Sequence, residues 1–161
     1  HVLDIYHKRG TRQLPLERVY RQLFNPEYYL LAYSKLYRND GATTSGTDGE
    51  SVDGMTLEQI HRIIQALRSG TFRWRPCRRV YIPKRTSGQR PLGLPDWSDK
   101  LVQEVLRMIL QPCYEPRFSK HSHGFRPGRS CHTALKEIQR EWIGSIWFIE
   151  GDIKGCLDMA S

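Results

Sequence analysis

The chain has 161 residues, 25 Lys and Arg against 17 Asp and Glu, and a formal charge of +8. That length suits one ordinary domain able to bury roughly 70% of its unfolded surface. With 39% hydrophobic and 26% charged residues it reads as neither disordered nor membrane-embedded, and no apolar run approaches the roughly 20 residues of a spanning helix.

The start, His1-Val2-Leu3-Asp4, has no signal-peptide pattern and no initiator Met, and reads as processed or cut from something longer. The stretch to about Asn39 reads as helices. Asn25 can cap, Pro26 fits the first helical position and Glu27 favours the first turn. Tyr29, Leu30, Tyr33, Leu36 and Tyr37 then recur at helical spacing. A loop rich in Gly, Thr, Ser and Asp follows from Asn39 to Gly54. Thr56-Leu57-Glu58-Gln59 has the form of a capping box. Leu57, Ile60, Ile63, Ile64 and Leu67 then make one apolar stripe that Gly70 stops. Arg78 to Pro83 and Arg90 to Pro95 read as two short strands around the polar turn Lys84-Arg85-Thr86-Ser87-Gly88-Gln89, and their prolines suggest an edge. Ser98 or Asp99 opens a second helix with Leu101, Val102, Val105, Leu106, Ile109 and Leu110 inward, ending near Pro112. Ser130 can cap a third with Ala134, Leu135, Ile138 and Trp142, and Ile146 to Ile153 reads as a strand with Phe148, Glu150 and Asp152 on one face. Helices, a hairpin, more helices and a final strand make an α+β pattern without internal repeats.

Charge is unevenly placed along this pattern. Residues 61–95 hold nine basic residues and no acid, so this window carries +9 and the rest of the chain nets −1. Its members are Arg62, Arg68, Arg73, Arg75, Arg78, Arg79, Lys84, Arg85 and Arg90, with Phe72, Trp74 and Tyr81 between them. Guanidinium groups fit phosphates bidentately and aromatic rings offer stacking faces to unpaired bases. A solvated face beside core aromatics is the plainer alternative, but such a face usually mixes signs. A polyanionic partner, nucleic acid before membrane, is expected.

Three groups of residues invite chemistry. Asp152 follows the apolar run Ile146-Trp147-Phe148-Ile149, where a rigid carboxylate would suit a hard cation, although a turn-forming Asp is the simpler alternative. Lys84 and Arg90 sit six residues apart across a flexible turn and could close on a triphosphate, or stand solvated. Cys113, His121, His123 and Cys131 match no common zinc spacing, so no zinc is expected. The four cysteines, Cys156 included, form no C-x-x-C pair, and a reducing compartment is the default.

In this order the pieces resemble a group II intron-encoded reverse transcriptase/maturase. Arg78-Arg79-Val80-Tyr81-Ile82-Pro83-Lys84 with Gly88-Gln89-Arg90-Pro91-Leu92-Gly93-Leu94-Pro95 is similar to that family's fingers hairpin. Ser122-His123-Gly124-Phe125-Arg126-Pro127-Gly128-Arg129-Ser130 resembles its next block. Trp147-Phe148-Ile149-Glu150-Gly151-Asp152-Ile153-Lys154-Gly155-Cys156 resembles the block with the first catalytic Asp. Tyr33 to Asp53 resembles the extension and loop that grip the template.

The resemblance implies an incomplete reverse-transcriptase fold: residues 1–54 an N-terminal extension and template-gripping loop, 55–145 a fingers region, 146–161 the first strand of a palm-type sheet. It implies that Asp152 is the catalytic carboxylate and, with the Ile153 carbonyl, a ligand of two Mg²⁺ ions. Lys84 and Arg90 would hold the triphosphate, with Ile153 and Leu157 beside the nucleotide. Arg73, Arg75, Arg78, Arg79, Arg85, Arg126 and Arg129 would contact RNA or an RNA/DNA duplex. Leu157 stands where the family usually carries an aromatic residue, and the chain has no adjacent Asp pair. One carboxylate does not hold two magnesium ions, so the chain is expected to be inactive alone. A second chain, or a missing C-terminal half, would supply Tyr-x-Asp-Asp. The alternative is a non-catalytic RNA-binding subunit of a larger ribonucleoprotein, such as an organellar one. Either reading places the protein in a bacterial cytoplasm or an organelle matrix, with no membrane partner.

Overall fold

A computed structural model describes residues 2–39, 41–84 and 87–153. Its helices are α1 (Val2–Thr11), α2 (Val19–Gln22), α3 (Pro26–Tyr37), α4 (Leu57–Arg68), α5 (Trp97–Tyr114) and α6 (Cys131–Glu141); β1 (Arg78–Pro83) and β2 (Gln89–Leu94) form an antiparallel hairpin. The order of helices, hairpin and further helices is the α+β pattern expected. The chain divides into two compact units, His1–Arg117 and Phe118–Ser161.

Local chemistry explains the element boundaries in the first unit. The Asn25 side chain accepts the Glu27 amide at 3.0 Å and Pro26 takes the first position of α3. At α4 the Thr56 hydroxyl accepts the Gln59 amide at 3.2 Å, while the Gln59 side chain accepts the Thr56 amide at 2.9 Å, which completes the capping box. Gly70, just past α4, has φ +71, a left-handed conformation that a side chain would strain. Helix α5 begins at Trp97, slightly before the expected Ser98 or Asp99, and runs through Pro112 to Tyr114. Proline removes one backbone donor in that last turn, but Cys113 is fully buried beside α1, and this packing holds the turn in place.

Helix α5 is the centre of the unit, with α1 and α3 packed on it and α4 against α3. The core joins Tyr6, Tyr28, Tyr29, Ala32, Ile60, Ile63, Ile64, Leu67, Leu101, Val102, Val105 and Ile109. Burying this much aromatic and branched surface is the main favourable term in the fold. The Tyr29 hydroxyl is buried without a penalty because it donates to the Leu23 carbonyl at 2.8 Å, and its burial raises its pKa well above the usual tyrosine value. Leu30, Tyr37 and Leu57, expected on inward stripes, are exposed. The inward face of α3 is instead set by Tyr28, Tyr29 and Ala32. Leu57 sits at the first position of α4, ahead of the turn that meets the core.

The second unit differs in kind. Ala134 is half-buried, while Leu135, Ile138 and Trp142 are exposed, and no α6 residue is buried. Residues 146–153 form no ladder, and Ile146, Trp147, Phe148, Ile149 and Ile153 are exposed. The expected strand is absent for a physical reason: a strand exists by exchanging hydrogen bonds with a neighbour, and among the described residues the only two strands pair with each other. Leu157 and Asp158 lie outside the described residues.

Candidate nucleic-acid interface

The hairpin presents the basic window. Its register pairs Arg78 with Leu94, Arg79 with Gly93, Val80 with Leu92, Tyr81 with Pro91, Ile82 with Arg90 and Pro83 with Gln89. Alternation along β1 half-buries Val80 and Ile82 and leaves Arg79 and Tyr81 exposed on the other face. Beyond Pro83 the Lys84 amide donates to the Gly88 carbonyl at 3.0 Å and closes the turn. Extending the alternation by one residue brings Lys84 and Arg90 to the same face at the tip, both exposed. Arg85 lies outside the described residues.

The other arginines expected to meet RNA are at least partly occupied within the protein. The Arg73 guanidinium turns back onto the end of α4, donating to the Gly70 and Phe72 carbonyls at 2.9 Å each. Arg75 Nη1 pairs with Asp48 Oδ2 at 2.9 Å and lies 3.5 Å from Asp96 Oδ2. Arg78 donates through Nε and Nη2 to the Ser45 carbonyl, at 3.2 and 2.8 Å. Arg62, Arg73 and Arg75 flank a cleft of about 350 Å³ between α4 and the segment leading to β1, with Phe72 in its wall. In the second unit Arg126 donates to the Ser119 and Ser122 carbonyls, at 2.8 and 2.9 Å, and sits over the Phe118 ring. Arg129 donates to the Lys120 carbonyl.

Three acids in α5 and its cap are buried, and of these the sequence marked only Asp99, as a candidate helix start. Asp96 is fully buried just ahead of α5. Burial would raise its pKa, but the Thr47 hydroxyl and amide, the Asp48 amide and Arg75 outweigh that and hold it below the usual carboxylate range. Asp99 accepts the Arg75 amide at 2.9 Å, yet burial and the neighbouring Asp96 and Asp48 push its pKa up. Glu104 is held down, despite burial, by Arg107 at 2.7 Å and Lys35 at 3.1 Å. The sequence held one usable signal, the i,i+3 spacing of Glu104 and Arg107; the other partners, Thr47, Arg75 and Lys35, lie far away along the chain.

His121 and His123 converge on Glu137 of α6. His121 Nδ1 meets Oε1, His123 Nε2 meets Oε2 at 2.9 Å, and His123 Nδ1 is 2.8 Å from the Thr133 hydroxyl. The ligand atoms of His121, Glu137 and Glu141 lie within 4.8 Å of one another, and this is the only such group of three among the described residues. Cys113 belongs to the first unit and Cys131 opens α6, exposed. Asp152 is exposed and joins no cluster of three ligands among the described residues. Its carboxylate and the Ile153 carbonyl do not by themselves make a site for two Mg²⁺ ions.

The sequence that carries this basic hairpin matches a known class. Residues 82–159 match the family described as reverse transcriptase (RNA-dependent DNA polymerase). Within that class, the chain is 54% identical over 142 residues to the group II intron-encoded protein LtrA of Lactococcus lactis subsp. cremoris, which covers 88% of this chain and 24% of the relative. It is 49% identical over 136 residues to an uncharacterized 91 kDa protein in cob intron of Schizosaccharomyces pombe, covering 84% of this chain and 17% of that one. It is 33% identical over 147 residues to the nuclear intron maturase 2, mitochondrial, of Arabidopsis thaliana, covering 82% and 20%. The chain belongs to the group II intron-encoded reverse transcriptase/maturase family. It spans about a quarter or less of the length of these relatives. Among the described residues no helix is long and apolar enough to cross a membrane.

Proposed function

We propose that this chain is the RNA-gripping fingers and early-palm portion of a group II intron-type RNA-directed DNA polymerase, serving intron splicing and inactive by itself. The observation that carries this reading is the acid-free run of nine basic residues laid along an exposed hairpin and its flanks, in a chain of this family. RNA, alone or paired with DNA, lies along Arg79 and the hairpin, and the loop of residues 39–54 meets the template strand. Lys84 and Arg90 bind phosphate: the triphosphate of an incoming nucleotide in the completed polymerase, and RNA phosphates when no nucleotide is present. Asp152 is one carboxylate of a catalytic site whose other acids, in a Tyr-x-Asp-Asp turn, come from further along a longer protein or from a second chain. Magnesium, when bound there, supplies Lewis-acid stabilisation of the phosphoryl oxygens. The relatives' names, from a bacterium and from a mitochondrial maturase, support a bacterial cytoplasm or an organelle matrix as the setting.

Fluorescence anisotropy with single-stranded RNA across a salt series tests the grip. Arg79→Gln with Lys84→Gln is expected to weaken binding and to flatten the slope of log affinity against log salt by about 1.4, at roughly 0.7 per phosphate contact on a single strand. An unchanged slope refutes the hairpin as the RNA surface. In the assembly that contains Tyr-x-Asp-Asp, Asp152→Ala is expected to abolish cDNA synthesis and leave RNA affinity intact. Surviving synthesis would remove the catalytic role of Asp152 and leave a non-catalytic RNA-binding subunit.

A further inference from the structure

Asp96 occupies the cap position of α5 yet bonds none of the helix's free amides. Its oxygens are turned to a loop 49 residues earlier in the chain. Oδ1 accepts the Thr47 amide at 2.5 Å, the Thr47 hydroxyl at 2.8 Å and the Asp48 amide at 3.3 Å, and Oδ2 accepts the same hydroxyl at 3.0 Å. A carboxylate withdrawn from water persists only where donors fill its lone pairs, and here the loop supplies all but Arg75. Two more grips act on adjacent residues of this loop. Lys100, one turn into α5, donates to the Thr44 carbonyl at 2.7 Å, and Arg78 of β1 donates to the Ser45 carbonyl. Between them Gly46 comes so close that a Cβ would stand 2.1 Å from Asp96 Oδ1 and 2.6 Å from its Cα. Residues 44–48 are therefore bound in succession to the first strand of the hairpin and the first turn of the helix after it.

We propose that Asp96 is a positioning residue that fixes loop 44–48 at the base of the hairpin, so that loop and hairpin meet a single-stranded RNA as one preformed surface. The inference rests on the RNA-binding reading above. Asp96 itself does not touch RNA; it acts by sparing the complex the cost of ordering the loop on binding. The carboxylate's depressed pKa, with the causes given above, agrees with a strong preference for its charged, loop-bound form.

The test combines amide hydrogen exchange with anisotropy titrations of a labelled single-stranded RNA. Asp96→Ala is expected to speed exchange at residues 46–48 about tenfold or more, the loss of charge-assisted bonds, without moving exchange in α3 and α5. RNA affinity should fall by a similar factor with the salt slope unchanged, because no phosphate contact is removed. Asp96→Asn, which keeps an acceptor for the loop amides, should restore part of both. Gly46→Ala should reproduce the Asp96→Ala result from the opposite side of the contact. Loop exchange at the wild-type rate overturns the inference, and so does faster loop exchange with unchanged RNA affinity. If neither Asp96→Ala nor Gly46→Ala folds, Asp96 is a folding residue and the inference is likewise overturned. When Arg79→Gln with Lys84→Gln weakens binding but Asp96→Ala does not, only the positioning role fails. RNA binding insensitive to all these changes sinks the RNA reading as well.

Discussion

The packing of α1 on α5 depends on the absence of one carbon atom, and that makes Gly10→Ala a sharp test of the fold. A Cβ on Gly10 would lie 2.2 Å from the Cys113 carbonyl oxygen, 2.8 Å from its Cα and 2.9 Å from its carbonyl carbon. Carbon–oxygen contacts settle at about 3.3 Å or more, so α1 must retreat by roughly 1 Å. The obstacle is backbone in the middle of a buried turn and no rotamer change relieves it, which places the cost near the upper end of overpacking, about 3 kcal/mol. Alanine's better helix propensity returns up to about 1 kcal/mol, leaving a net loss of about 2 kcal/mol. For a chain of this size that lowers Tm by about 4–8 °C. Calorimetry on Gly10→Ala beside Gly54→Ala, whose Cβ would meet nothing within 4 Å, separates the packing effect from a general response to alanine. A Gly10→Ala protein as stable as the wild type refutes the close approach of the two helices.

Thr56→Ala removes one half of the capping box at α4 and should cost about 1 kcal/mol with RNA affinity unchanged; urea midpoints for Thr56→Ala, Gln59→Ala and the double variant should show less than additive losses, since the two bonds act on one helix end. The buried acids set the acid limb of stability. Asp96 and Glu104 have folded pKa values below the unfolded ones near 3.8 and 4.5, so their contribution is complete above those values and is lost as pH falls through the depressed folded ones. Asp99 is shifted upward and has the opposite sign, losing stability as pH rises from 3.8. Asp99→Asn should therefore make Tm climb more steeply than in the wild type between about pH 3 and 6, and a shallower climb would contradict the assignment.

How much of this was legible beforehand follows from the range over which each interaction acts. The caps at Asn25 and Thr56, the stop at Gly70 and the two strands of the hairpin are decided within a few residues, and their spacing states them. The composition of residues 39–54 marks a loop, and the family resemblance suggests a template-gripping one, but neither says what holds it in place. Its order comes from Asp96 and Lys100, 49 and 56 residues away, and no local pattern carries that. The sequence places the start of α5 at Ser98 or Asp99 and passes over Asp96; only the fold shows Asp96 at the cap position with its carboxylate turned to the loop. The opposite failure occurs at Ile146 to Ile153, where a good strand sequence meets no partner strand among the described residues. Propensity specifies an extended backbone, but the ladder needs a second segment. Likewise periodicity marked an apolar stripe on α6 without being able to say whether anything covers it.

The same distinction governs how the charge of the basic window should be counted. Nine cations on a single strand, each neutralising one phosphate, would give a salt slope of about −6. The structure divides them by task. Arg75 and Arg78 hold the loop, Arg73 closes the end of α4, and Arg68 lies over the Phe24 ring. Among the described residues, Arg62, Arg79, Lys84 and Arg90 are the members of the window with no side-chain hydrogen bond, ion pair or ring contact. Four such groups give the window a slope of about −3, half of what composition suggests. The difference is measurable as the slope removed when all four are neutralised to Gln. A loss of about 3 supports the division of labour drawn from the structure. A further loss of about 1.4 when Arg75 and Arg78 are neutralised as well would mean that they leave Asp48 and Ser45 to reach the RNA. The loop would then be released on binding rather than preformed, and the role inferred for Asp96 would fail with it.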